Sequence, residues 1–323
     1  MLVRLPQPYD FAVSTARFDV YGLDRATVWR DGVIHRVLAG REVRIEAAPG
    51  GVDVAPHDAA IERQVLHFLG LPFDLDGFAA WAQGRPPLDR LVTALAGFRP
   101  PLQTDPFEAL VTSITAQQVS LQSAAAIRSR FIERYGTLHE HAHAFPTRER
   151  VARATEDELF GLGFSRRKAE YVLALARSEL DLDALASLPD DEVTARLVAL
   201  RGLGEWTADW FLARHLARPH AWPAGDLGLR KAVAAFYGDV PDLRAFAQRF
   251  HPHENLTAHY LLTGLRLFPD GSRPAAPPGR RSRPPAQPRA ARGSPAGGPY
   301  VRTVPPASEP RATRREPSGD GEG

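Results

Sequence analysis

Apolar residues change their period along the chain. Up to about residue 55 they alternate with polar ones in short runs. Thr27-Val28-Trp29-Arg30, Asp31-Gly32 and Val33-Ile34-His35-Arg36-Val37-Leu38 form one unit. Asp-Gly readily takes the positive φ angles of a type I′ turn, so this unit predicts a β-hairpin. Arg41-Glu42-Val43-Arg44-Ile45-Glu46 alternates with period two, Ala48-Pro49-Gly50-Gly51 turns the chain, and Val52-Asp53-Val54 continues it. Residues 1–55 are therefore expected to be strands of an antiparallel sheet with one buried face.

Helical spacing follows. Ile61, Val65, Phe68 and Leu69 fall on one helix face, and Leu88, Leu91, Leu95 and Phe98 mark another helix after Pro86-Pro87. From Asp105 to Phe268 the pattern is almost wholly helical. Asp105-Pro106-Phe107-Glu108 reads as an N-cap followed by Pro at the first helical position. Phe107, Leu110, Val111 and Ile114 carry that helix, and Gln117-Gln118-Val119-Ser120 interrupts it before a second runs to about Tyr135. Gly161-Leu162-Gly163 precedes a helix to about Leu180, and Leu188-Pro189-Asp190 opens the one that ends at Leu200. The fold class is α+β: an N-terminal antiparallel sheet with helices over 1–103, an all-α core over 104–268 and a disordered tail over 269–323.

Composition narrows the chemistry. The 323 residues contain no cysteine, which excludes disulfides, cysteine-ligated zinc, iron–sulfur clusters and a thiol nucleophile. No apolar run reaches the roughly 18 residues of a membrane helix, and the first ten residues lack the apolar stretch of a signal peptide. A cytosolic protein is expected. The formal charge is +2, but Pro269–Gly323 holds ten Arg against five acidic residues, so residues 1–268 sum to −3. Any polyanion partner must then be held by a local positive face and by backbone groups. The tail, with 13 Pro and little apolar content, reads as disordered.

The densest chemistry lies between Leu200 and Asp226. Leu200-Arg-Gly-Leu-Gly-Glu-Trp-Thr-Ala joins two helices through a Gly-Leu-Gly turn. Gly202 and Gly204 permit a tight turn and close approach, and the amides of Leu203, Gly204 and Glu205 open the next helix, where a phosphate is favoured. Such turns also occur in helical proteins that bind nothing. Asp226, 20 residues after Trp206 and just before Leu227-Gly228-Leu229-Arg230-Lys231, suits an N-cap as well as a catalytic carboxylate. Trp206 and Trp210 share a helix face, which fits either a core or a base pocket.

These segments together resemble the helix-hairpin-helix DNA glycosylase superfamily and, within it, the AlkA-type DNA-3-methyladenine glycosylase II branch. The resemblance runs over about residues 1–268 and rests on the hairpin with Asp226, on Asp105-Pro-Phe-Glu-Ala-Leu to Ser120, on Leu162–Glu170 and on Pro8-Tyr9-Asp10-Phe11. It implies that Asp226 is the catalytic carboxylate and that Trp206 and Trp210 line the base pocket. Leu227 stands where a family member has an aromatic residue, and His253 where a pocket Trp occurs. Gln118 would fill the gap left by a flipped nucleotide, while Gly202, Leu203, Gly204 and Glu205 hold phosphate. The carbonyls of Val198, Leu200 and Leu203 would bind a structural potassium or sodium ion; the chemistry itself needs no cofactor. Lyase branches carry a Lys at the position of Trp206, where it forms a Schiff base with the sugar. A monofunctional glycosylase for alkylated purines is expected, acting as a monomer on damaged double-stranded DNA, independent of membranes and upstream of an AP endonuclease. Two other readings stay open: a glycosylase for deaminated or otherwise damaged bases, and a non-catalytic DNA-binding protein.

Overall fold

The computed structural model describes residues 1–20 and 22–268; the predicted tail over 269–323 lies outside the described residues. The chain enters on β1 (Leu2–Arg4) and two short helices, α1 (Phe11–Thr15) and α2 (Arg17–Val20). It then forms β2 (Thr27–Arg30), β3 (Val33–Leu38), β4 (Arg41–Ala48) and β5 (Gly51–Ala55). All pairs are antiparallel, in the order β1-β5-β4-β3-β2. Asp31 and Gly32 take the expected positive φ angles, 51° and 83°. The expectation of strands throughout residues 1–55 fails at 11–20. There Asp10 caps α1 by accepting the Val13 N–H at 2.9 Å, and this local bond outweighs the residues' strand pattern.

α3 (Ala59–Phe68) covers the sheet, placing Ile61, Val65 and Phe68 on Ile34, Val43 and Ile45. α4 (Leu75–Ala82) and α5 (Leu88–Ala94) follow, then α6 (Pro106–Ala116) and α7 (Leu121–Tyr135). A small hairpin of β6 (Thr137–Leu138) and β7 (His143–Ala144) leads to α8 (Arg148–Ala152), α9 (Glu156–Gly161) and α10 (Arg166–Arg177). The chain continues through α11 (Asp190–Val198), α12 (Glu205–Arg214), α13 (Leu227–Tyr237), α14 (Leu243–Ala247) and α15 (Glu254–Leu267). No helix among the described residues is long and apolar enough to cross a membrane.

The helices make two cores. One gathers α6 to α12 around Leu110, Phe131, Leu173 and Phe211. The other packs Leu88, Leu91 and Leu95 against Leu229, Val233 and Leu261. Residue 103 is therefore no boundary of packing: α4 and α5 complete a core with helices that follow them by more than a hundred positions. Hydrophobic periodicity reports which face is buried, not against what, so this pairing is invisible in the sequence. A buried charge cluster joins the sheet to the first helical core. Glu108, 2% exposed on α6, accepts from Arg36 of β3 at 2.6 Å and from Arg128 of α7 through its other oxygen. The link from α12 to α13 passes from one helical core to the other, and it carries Asp226.

Candidate active site

The hairpin is built from its glycines outward. Gly202 has φ +88°, and a Cβ there would lie 2.0 Å from the Tyr171 ring of α10. The ring thus covers the turn from inside, and Leu203, 4% exposed, plugs the first helical core. Gly204 is the N-cap of α12 and offers no side chain to its first amides. A Cβ on Gly204 would meet nothing within 4 Å, so its missing side chain leaves the outer face of the turn open. Open amides at a helix N-terminus, with the positive end of the dipole behind them, suit a phosphate. Arg201, Arg230 and Lys231 are exposed nearby in sequence and supply local positive charge in an otherwise acidic body.

The segment between α6 and α7 is tied to this turn. Gln118 has φ +53°, uncommon for a residue with a side chain. That kink sends consecutive glutamines different ways. Gln117 Nε2 donates to the Gly202 carbonyl at 3.2 Å, while Gln118 is exposed beside Val119 and Leu121, themselves 39% and 53% exposed. The Lys168 ammonium, buried and with its pKa lowered by that burial, donates to the Thr115 carbonyl at 2.9 Å in the last turn of α6. Gln117 and Lys168 thus hold this segment against the hairpin and α6, a placement that their sequence motifs did not indicate.

Asp226 caps α13, its Oδ1 accepting the Leu229 N–H at 2.9 Å. Its own N–H donates to the Pro223 carbonyl at 2.8 Å, and Trp222, stacked on Phe250, anchors the segment. The Trp206 indole rests against Gly225, where a Cβ would come within 3.2 Å of its Cδ1. A Cβ on Gly228 would sit 3.0 Å from Asp226 Oδ1 and 3.3 Å from Leu262 Cδ2. Trp206, Asp226 and Leu262 therefore surround one short stretch of backbone, which joins the two cores. The Trp206 N–H is buried and has no acceptor among the described residues.

The other expected site residues are only partly brought to Asp226. His253, expected in the pocket, is the N-cap of α15, about 13 Å from Leu262 at the helical rise. It packs on Phe78 and Trp81 at centroid distances of 5.7 and 5.2 Å, and burial lowers its pKa. The helical position facing Asp226 is Leu262, which the sequence hides within an ordinary apolar stripe. Trp210 lines a small cavity with Arg17, Phe18, Arg36 and Phe68, one that includes neither Asp226 nor Trp206. Leu227 is 72% exposed. Val198 and Leu200 lie at the C-terminal end of α11, where carbonyls lack helical partners and carry the negative end of the dipole. The Leu200 carbonyl already accepts the Leu203 N–H at 3.1 Å but keeps a second lone pair. Such an oxygen set fits a hard monovalent cation.

The profile of the HhH-GPD superfamily base excision DNA repair proteins matches residues 111–248, a span from α6 through the hairpin and Asp226. The chain is 32% identical over 265 residues to DNA-3-methyladenine glycosylase 2 of Escherichia coli (strain K12), covering 76% of this chain and 90% of that protein. It is 30% identical over 193 residues to the DNA-3-methyladenine glycosylase of Bacillus subtilis (strain 168), covering 56% of this chain but only 64% of that relative's length. Among solved structures, a 3-methyladenine DNA-glycosylase from Archaeoglobus fulgidus superposes with a TM-score of 0.76 at 26% identity. That match covers 83% of this chain and 99% of the other. The hairpin and the aspartate both lie inside the matched span 111–248, and with 32% identity to a relative covered over 90% of its length, the chain belongs to the HhH-GPD superfamily of base excision DNA repair proteins.

Proposed function

We propose that the chain is a monofunctional DNA glycosylase of base excision repair. It hydrolyses the N-glycosidic bond of alkylated purines of the 3-methyladenine type in duplex DNA. The observation that carries this reading is the placement of Asp226: a carboxylate at the junction of two cores, held in direction by its cap, with the Trp206 indole on the same stretch of backbone. Phosphate binding alone needs no carboxylate there.

The hairpin amides hold the strand, and the carbonyls of Val198, Leu200 and Leu203 would hold a potassium or sodium ion, whose charge would stiffen the turn. Gln118, with Val119 and Leu121 beside it, enters the stack as the damaged nucleotide leaves. Extrusion costs a few kcal/mol, less at a damaged pair. Trp206 stacks on the extruded base, whose positive charge favours the electron-rich face of an indole. As the C1′–N bond breaks, its electron pair goes to the base and neutralises that charge, while the sugar becomes oxocarbenium-like. Asp226 stabilises the sugar cation, and water adds at C1′ and loses a proton. The products are a free base and an abasic site, which passes to an AP endonuclease. No lysine is placed for a Schiff base: Trp206 stands at that position, Lys168 is bound to Thr115, and Lys231 is exposed. The protein acts as a monomer in the bacterial cytoplasm, on nucleoid DNA.

Incubating the full chain with methylated duplex DNA tests this. Released 3-methyladenine, with strand breaks appearing only after alkali, is the expected result. Asp226→Asn preserves an N-cap of equal quality and removes the charge, so folding is retained and turnover falls by about 10²–10⁴-fold. Near-normal base release by Asp226→Asn, or strand scission without alkali, refutes the reading.

A further inference from the structure

Far from Asp226, three side chains distant in sequence converge where the sheet meets the helical body. His35 lies on β3, Glu42 on β4, and His141 in the turn between β6 and β7. The donor atoms of all three lie within 4.8 Å of one another. Both imidazoles point Nδ1 at the same carboxylate oxygen, Glu42 Oε1, at 3.2 Å for His35 and 2.9 Å for His141. Their ring centroids are 4.2 Å apart. The other oxygen, Oε2, is occupied: it accepts the backbone N–H groups of His141 at 2.8 Å and Ala142 at 3.2 Å. The carboxylate is thus fixed from behind, and its remaining oxygen faces two ring nitrogens.

We propose that His35, Glu42 and His141 form a binding site for a divalent transition metal, filled by Zn2+. The donor set is two imidazole nitrogens and one carboxylate oxygen, a combination that zinc accepts with water in a fourth position. With zinc–ligand distances of about 2.0–2.1 Å, neighbouring donors of a tetrahedral site lie roughly 3.3–3.4 Å apart. The nitrogen–oxygen distances found are within a few tenths of an ångström of that spacing, so small side-chain rotations open room for the ion. The amides on Oε2 supply the outer hydrogen bonds that orient a ligating carboxylate. The site is partly enclosed, with side chains of His35 and Glu42 14% and 12% exposed, and His141, at 34%, leaves an approach for the ion and its water. Its placement gives the metal a structural role. It ties two strands of the sheet to the loop that begins the second half of the first helical core.

The strongest competitor is His220, His251 and Glu254, whose donors also converge. Those imidazoles use separate oxygens of Glu254 and are 49% and 66% exposed, and among the described residues no backbone amide bonds the carboxylate. That cluster serves as the control.

The test uses untagged full-length protein stripped of metal. Titration with Zn2+ should show one tight equivalent by calorimetry and raise the melting temperature, while Mg2+ should do neither. Co2+ should give the visible absorption of a tetrahedral nitrogen–oxygen site. His141→Ala, at an exposed position that spares the fold, should weaken zinc binding by at least about 10–100-fold, the loss typical even of a metal's outer partners. His35→Ala should do the same, and His251→Ala should leave binding unchanged. Glycosylase activity of His141→Ala on methylated DNA should stay at the wild-type level, which separates this site from the reading of Asp226. Absence of saturable zinc binding overturns the proposal, as does binding that survives His141→Ala but is lost in His251→Ala.

Discussion

Gly202→Ala puts a methyl group where the hairpin has no room for one. The new methyl would lie 2.0 Å from Tyr171 Cγ and 2.3 Å from both Cδ atoms. Carbon atoms pack best at about 3.5–4.0 Å, so the ring must withdraw by roughly 1.5–2 Å, or the turn must lift by as much. Overpacking of this kind costs about 1–3 kcal/mol. The backbone adds a second penalty, because φ +88° with a side chain costs roughly another 1 kcal/mol. Equilibrium urea unfolding should therefore show a loss of about 2–4 kcal/mol. Adding Tyr171→Ala removes the collision but not the φ penalty, so the double-mutant cycle should return a favourable coupling of about 1–3 kcal/mol. Gly204→Ala is the contrasting case. Its φ is −107° and its Cβ would meet nothing, so stability should change by less than about 0.5 kcal/mol. Its affinity for duplex DNA should still fall, since the methyl stands where a phosphate must approach. A Gly202→Ala loss below about 1 kcal/mol, or strict additivity with Tyr171→Ala, refutes the packing argument. Unchanged DNA affinity in Gly204→Ala refutes the assignment of that face to phosphate.

Gly228→Ala separates activity from stability: alanine gains about 0.5–1 kcal/mol of helix propensity, yet its methyl presses Asp226 Oδ1 at 3.0 Å, so melting should hold while base release falls. Equal activity with a higher melting point would show that the carboxylate direction is unimportant. Acid should weaken the fold through His215, whose Nδ1–H donates to the Gln103 carbonyl and whose imidazole burial pulls down to about 4. The unfolded chain takes up that proton below about pH 6.5 and the folded one does not, so this contribution is intact above 6.5 and is lost as pH falls toward 4. By about pH 5 the loss reaches roughly 2 kcal/mol; His215→Gln should remove that part of the slope in urea unfolding, and an identical slope in the variant rejects it. His67, on the same carbonyl and likewise shifted down by burial, acts in the same direction.

Local rules carried much of the fold. The Asp31-Gly32 hairpin, the Asp105 cap with Pro106 behind it, and the Gly-Leu-Gly turn each specify conformation within a few residues, and all three appear as the spacing predicts. Asp226 was legible as a cap, and the catalytic role proposed for it came from its distance to the hairpin and from family likeness, not from the residue itself. What could not be read was pairing at long range. Nothing near Leu88 or Leu91 says that their partners are Leu229 and Leu261. Leu262 looked like any core position of α15, whereas His253 drew notice through family likeness, as the position of a pocket Trp, although it faces Phe78 and Trp81. Trp206 and Trp210 share a helix face, but 6 Å of helix separates them, enough for one to meet Gly225 and the other a cavity beside the sheet.

The site is positioned as much by missing side chains as by those present. Gly202 admits Tyr171, Gly225 admits Trp206, and Gly228 admits both the Asp226 carboxylate and Leu262. In the sequence each glycine says only that a Cβ is absent; the structure supplies what uses the space. For Asp226 the effect is directional. Its cap bond fixes Oδ1 on the Leu229 N–H, Leu262 closes the side over Gly228, and no hydrogen bond among the described residues claims the second oxygen. A carboxylate free to rotate would have to be reoriented when the sugar becomes cationic, whereas one already held in place stabilises that charge without rearrangement. In the proposed reaction capping therefore does more than coexist with catalysis. The bond that starts α13 is also the bond that aims the charge, which is why a substitution sparing the cap but not the charge, and one sparing the charge but crowding its seat, should both stop base release while leaving the protein folded.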